Sequence, residues 1–188
     1  MRQIITGQLL MVICCIFYLI WWYMGYRPGV QVDRMQGANG VLFMLIFVSG
    51  VAGLVFNFMP SAETSTTKYR QIFIVLGGIA TYIIFMIITK YGFHRIVTTE
   101  LFLIVGWTML ELSILNRLSG SELLVGSRLV LMYCVIALAF AISMVLYVAY
   151  YRMDKMKAFY VAMVPLITEG LAMVILVLML VTRRKVWC

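Results

Sequence analysis

Six apolar runs, at 4–24, 40–59, 72–89, 96–115, 129–150 and 159–181, alternate with short polar stretches along the chain. Each is close to the roughly 20 residues that an α-helix needs to cross a hydrocarbon core about 30 Å thick. Turn-forming and charged residues collect between the runs. Pro28-Gly29 lies in the first connection, Pro60 and a Ser/Thr-rich linker at 61–67 in the second, and Lys90 to Arg95 in the third. The fourth, 116–127, carries Ser119-x-x-Glu122, which matches a capping box ahead of Leu123 to Val125. Arg152, Asp154, Lys155 and Lys157 make a tight charged turn before the last run. The pattern predicts an all-α integral membrane protein, a single bundle of six transmembrane helices that takes up all of 1–188.

The interior of each run adds detail. The first ends in Tyr18, Trp21, Trp22, Tyr23 and Tyr26, an aromatic cluster suited to the headgroup boundary, and it lacks a small-residue cleavage site, so it reads as a retained anchor. Ser49 and Gly53 in the second are small residues at i and i+4, which let another helix approach closely. Asn57 reads as reaching the interface. Gly77-Gly78 in the third predicts close packing in preference to local unwinding. Ala137, Ala139, Ala141 and Ser143 make the fifth run a packing helix.

Composition agrees with the pattern. Hydrophobic residues are 64% of the 188 and charged residues 12%, against about 45–50% and about 25% in soluble globular domains. The net charge of +8 comes from Lys and Arg at the ends of apolar runs, where they anchor against anionic headgroups, so no nucleic-acid partner is expected. Eight of the 15 Lys and Arg fall on the side of the two termini, a small bias. The cluster Arg183-Arg184-Lys185 favours cytoplasmic termini in a plasma (bacterial inner) membrane. Cys14, Cys15 and Cys134 lie inside apolar runs and, with Cys188, form no CxxC or Cys/His pattern; with His94 as the lone histidine, neither a metal site nor a cofactor is expected.

Acids inside apolar runs are the candidate chemistry, because a carboxyl group at bilayer depth is costly and needs partners. Glu169 sits in the last run, one turn beyond Pro165 and beside Thr168. Proline leaves a backbone carbonyl without its helical donor, so Pro165, Thr168 and Glu169 offer a carbonyl, a hydroxyl and a carboxyl group at one depth. Such oxygens suit a proton, a small cation or an amine. In the fourth run Glu111 and Thr108 share a face and form a second wall, with Tyr82 of the third run as a further polar contributor; Glu100 reads as a first-turn acid that complements the helix dipole.

A weak self-similarity relates two halves, 1–90 and 91–188. A shift of 92 lays Ile4-Ile5-Thr6-Gly7-Gln8-Leu9 on Ile96-Val97-Thr98-Thr99-Glu100-Leu101. One of 87 lays Gly78 and Thr81 on Pro165 and Thr168. Three helices per half make the repeats inverted, as in many transporters. No Ser/His/Asp, Cys/His or HExxH constellation is present, so the chain is not expected to be an enzyme. We expect a small transporter or substrate-capturing membrane subunit for a small solute or cation, proton-coupled through its glutamates. The alternative is a non-transporting sensory or assembly subunit of a larger complex, and either admits a homo-oligomer or a partner membrane subunit.

Overall fold

The computed structural model describes residues 2–27, 36–58, 65–94 and 99–185. Among these every regular element is helical: α1 (Arg2–Tyr26), α2 (Gln36–Phe58), α3 (Ser65–Ile87) with a π-helical turn at Ile88–Gly92, α4 (Thr99–Gly120), α5 (Ser127–Tyr150), α6 (Lys155–Val161) and α7 (Val164–Lys185). Six helical segments are long and apolar enough to cross a membrane, α6 and α7 together forming the last, Lys155–Thr182. Pro28-Gly29 and Pro60 lie outside the described residues.

Helices outrun their apolar runs. α3 starts at Ser65 and α4 continues to Gly120, because each helical residue adds a backbone hydrogen bond whatever its side chain. Ser119 therefore does not cap a new helix. It lies in the last turn of α4, where Leu123 N–H donates to Leu118 O at 3.0 Å and Glu122 N–H to Ser119 O at 3.1 Å, with Glu122 at φ 56°. This paired bonding with one left-handed residue is a Schellman termination, so the Ser-x-x-Glu pattern marks a stop. The last run is interrupted at Ala162–Met163, and Pro165 occupies the first turn of α7, where a missing N–H costs least. α3, by contrast, runs unbroken through Gly77-Gly78.

The helices form two compact units, 1–61 with 154–188, and 62–153. In the first, α1 packs against both α2 and α7. Glycine permits the α1–α2 contact: a Cβ on Gly7 would lie 2.9 Å from the backbone N of Asn57, and one on Gly53 would lie 3.2 Å from Gly7 O. Gln8 Nε2 donates to Asn57 Oδ1 at 3.4 Å in this contact, so Asn57 is buried and does not reach the interface. Trp22 stacks on Phe159, and Arg27 donates to Tyr23 OH at 2.9 Å.

In the second unit α4 packs against α3 and α5. Gly78 leaves room for the Met109 side chain, whereas a Cβ on Gly77 would meet nothing within 4 Å. Leu101, Ile104 and Val105 of α4 and Met144 and Tyr147 of α5 make the core, with Tyr82 and Phe85 packed against it. Of the small residues of α5, Ala139 and Ser143 are buried and Ala137 and Ala141 exposed, so one of the two stripes is used for packing.

Gly7→Ala is expected to lower the stability of the purified protein by about 1–3 kcal/mol, the usual cost of overpacking, while Gly77→Ala leaves it unchanged or raises it by up to about 1 kcal/mol; thermal melts in one detergent compare the two. Glu122→Gly is expected to raise the melting temperature, since a left-handed backbone costs an ordinary residue about 1–2 kcal/mol and glycine almost nothing.

Candidate functional site

Glu169 is fully buried, at 0% exposure, on the stripe of α7 that also buries Pro165, Ala172, Met173 and Leu176. The neighbouring Gly170 lies against Cys15 of α1, whose β-carbon would be 3.8 Å from an added Cβ. Thr168 donates to Pro165 O at 2.8 Å, so its hydroxyl proton is spent inside the helix. Pro165, Thr168 and Glu169 thus lie within about one turn, just beyond the break between α6 and α7.

Glu111, Thr108 and Tyr82 belong to the other unit and divide within it. Glu111 is buried, at 1% exposure. Thr108 lines a groove of about 500 Å³ among α3, α4 and α5, which Glu111 and Tyr82 do not line. Its hydroxyl donates to Ile104 O at 2.9 Å. Tyr82 sits edge-on to Phe102 and packs against the core at the far end of the unit. Glu100 lies in the first turn of α4, as its spacing from the boundary predicts.

Two polar networks in this unit escape a reading by apolar runs. Between α3 and α4, Ser113 donates to Met109 O at 2.7 Å, which leaves its oxygen to accept from Gln71 Nε2 at 2.7 Å. That fixes the Gln71 amide with its oxygen towards Asn116 Nδ2, 3.5 Å away, while the same nitrogen donates to Thr67 O at 2.8 Å. Asn116 is a buried helical residue here and not the start of a connection. The second network is a hydroxyl chain at the π-helical turn. Tyr151 OH donates to Tyr147 OH at 2.9 Å, Tyr147 OH lies 3.2 Å from Thr89 Oγ1, and Thr89 donates to Phe85 O at 2.7 Å. The chain ends on a carbonyl, which accepts but cannot pass a proton on, so it is a tether between α3 and α5. The readable signal for the first network is helical spacing: Thr67, Gln71 and Ile74 share one stripe of α3, as Met109, Ser113 and Asn116 share one of α4.

Cys14 and Cys15 are buried, Cys134 is exposed, and Cys14 Sγ lies 3.4 Å from Ile46 O. His94 is exposed in the link after α3. Among the described residues no group of three or more His, Cys, Asp or Glu side chains could hold a metal ion. Compared with models of protein families, with curated proteins and with solved structures, the chain matches none.

Asn116→Ala removes the donor from the Thr67 carbonyl and unpins Gln71. A loss of about 1–3 kcal/mol is expected, as for a buried hydrogen-bonding group left unmatched, with Ser113→Ala costing less because Gln71 keeps its bond to Asn116. Unfolding in a denaturant series measures both.

Proposed function

We propose that this chain is a multi-pass membrane protein of six transmembrane helices that binds a small solute or cation within the bilayer and exchanges it for a proton at Glu169. The observation that carries the reading is the full burial of Glu169 about two turns from the interruption between α6 and α7, in a segment otherwise apolar enough to span. A carboxyl group within an apolar span holds either a proton or another positive charge, so an arriving cation takes the proton's place. Broken helices at bilayer depth are where transporters place their ligands. Glu111, buried in the second unit, serves as a second protonatable site, and Thr168 and the region of Pro165 supply neutral oxygens beside the first.

An inverted repeat is part of the proposal, and the helix contacts support it. In one unit α1 lies between α2 and α7, and in the other α4 lies between α5 and α3. Exchanging first for fourth, second for fifth and third for last helix converts one set of contacts into the other. Each unit then pairs the first two helices of one half with the third of the other. Under the shift of 87, Tyr82 falls on Glu169 and Thr81 on Thr168, and both threonines bond back into their own helix, Thr81 to Gly77 O at 2.8 Å.

The second reading, a sensory or assembly subunit, draws on α3, whose apolar side chains are largely uncovered, with Phe73 at 74% and Leu76 at 57% exposure. A partner helix or lipid would suit that surface equally.

The test is proton release from the purified protein in nanodiscs as inorganic cations and organic amines are added in turn. Release is expected from wild type and from Glu111→Gln at reduced stoichiometry, and not from Glu169→Gln. Undiminished release from a folded Glu169→Gln protein would overturn the assignment. Silence in all three, with loss of a co-purifying subunit in Glu169→Gln, would give the assembly reading the better claim.

A further inference from the structure

The groove among α3, α4 and α5 suits a different ligand from the one assigned to Glu169. Its volume of about 500 Å³ is that of a small-molecule site. Gly77 and Thr81 on α3, Thr108 and Leu112 on α4, and Tyr133 and Ala137 on α5 are among its walls. The two threonines spend their hydroxyl protons on Gly77 O and Ile104 O, so they turn little but methyl groups and lone pairs to the cavity. Space is kept open at Gly77, where a side chain would meet nothing within 4 Å. The groove's wall also includes Val105, which belongs to the packed core with Ile104, Met144 and Tyr147.

One end is charged. Arg70 lies three, four, seven and eleven residues before Phe73, Ile74, Gly77 and Thr81, which puts it on the groove stripe of α3 at the edge of the apolar run. Its side chain is exposed. Lys68, Arg117 and Arg128 lie at the same end of this unit, against Glu122 as the acid among the described residues of that end. From Arg70 to Thr81 the helix rises about 16 Å, close to half of a hydrocarbon core of roughly 30 Å. On the membrane reading the groove is thus about one leaflet deep, with cationic side chains at its Arg70 end.

We propose that this groove is a binding site for an anionic glycerophospholipid of the surrounding bilayer, one acyl chain lying along Gly77 and Ala137 and the phosphate held by Arg70. A long arginine at the edge of an apolar run can reach the headgroup layer while its stem stays in the lipid. The charge contributes preference for an anionic over a zwitterionic headgroup, and the groove contributes retention of the chain. The proposal rests on the membrane reading given above, but not on Glu169 or on transport.

The experiment uses the full chain in nanodiscs of phosphatidylcholine mixed equally with phosphatidylglycerol, followed by detergent extraction and native mass spectrometry of the lipids that remain bound. Wild type is expected to retain phosphatidylglycerol several-fold over phosphatidylcholine. Arg70→Gln should bring that ratio to parity, Gly77→Leu should reduce retention of both lipids by filling the groove, and Arg128→Gln, which lies off the groove stripe, should leave the ratio as in wild type. Gly77→Leu meets open space, so monodisperse elution of the folded variant is expected. Equal retention of both lipids by wild type, an unchanged ratio in Arg70→Gln, or wild-type retention in Gly77→Leu would each overturn the proposal. Membrane flotation of the expressed protein separates the two levels: a chain that does not float fails the membrane reading itself, whereas one that floats without lipid preference fails the groove alone.

Discussion

In helices whose outer surfaces are apolar, a buried polar side chain has no water to fall back on and must find its partner on a neighbouring helix. That constraint shapes both units. Gln8 meets Asn57 across α1 and α2, and Gln71, Ser113 and Asn116 interlock across α3 and α4. Each pairing sets the register of two helices along their axes, which apolar contact alone, tolerant of sliding, does not. Between α3 and α4 the orientation of Gln71 follows from one hydroxyl: Ser113 donates to its own backbone, so it can only accept from Gln71, and the amide of Gln71 is thereby oriented towards Asn116.

Close approach is the complementary requirement, because side-chain amides reach across only when the backbones are near. Gly7 and Gly53 provide this between α1 and α2, and Gly78 does so between α3 and α4 by admitting Met109. The two kinds of residue occur together: Gly7 adjoins Gln8, and Gly53 lies one turn before Asn57. Small residues set the distance and amides set the register. Gly77 belongs to neither contact, which is why its open surface stands out beside Gly78.

Much of the architecture was legible from apolar periodicity, and the departures have one physical origin. Apolar runs mark where a helix suits lipid, whereas a helix ends where its backbone bonding ends. Thr67, Gln71 and Asn116 therefore read as connection residues although they lie inside α3 and α4 and hold them together. The Ser119-x-x-Glu122 pattern misled for a related reason: a capping box and a Schellman stop can show the same residues, and only Glu122's left-handed backbone separates them. Pro165 marked a real interruption and Gly77-Gly78 did not, since proline removes a donor while glycine merely permits bending. Of the candidate site, the depth of Glu169 and Glu111 followed from their places within long apolar runs. Their assignment to separate units did not, because no periodicity within a run reports which helices pack together.

That last point bears on the repeat. The second unit is made of consecutive helices and needs only packing between sequence neighbours, whereas in the first α7 packs with the distant α1; each unit takes a helix from either sequence half. Contact between sequence neighbours arises without duplication, so the weight of the proposed repeat falls on the pairing of α1 with α7. The correspondence of Thr81 with Thr168 then acquires a chemical meaning. Both hydroxyls are committed to backbone, so what distinguishes the two positions is the next residue: Tyr82 packs against an apolar core, and Glu169 is a buried carboxyl group of α7. Under the proposed repeat these two positions correspond, and the difference between a packing aromatic and a buried acid is where the halves part.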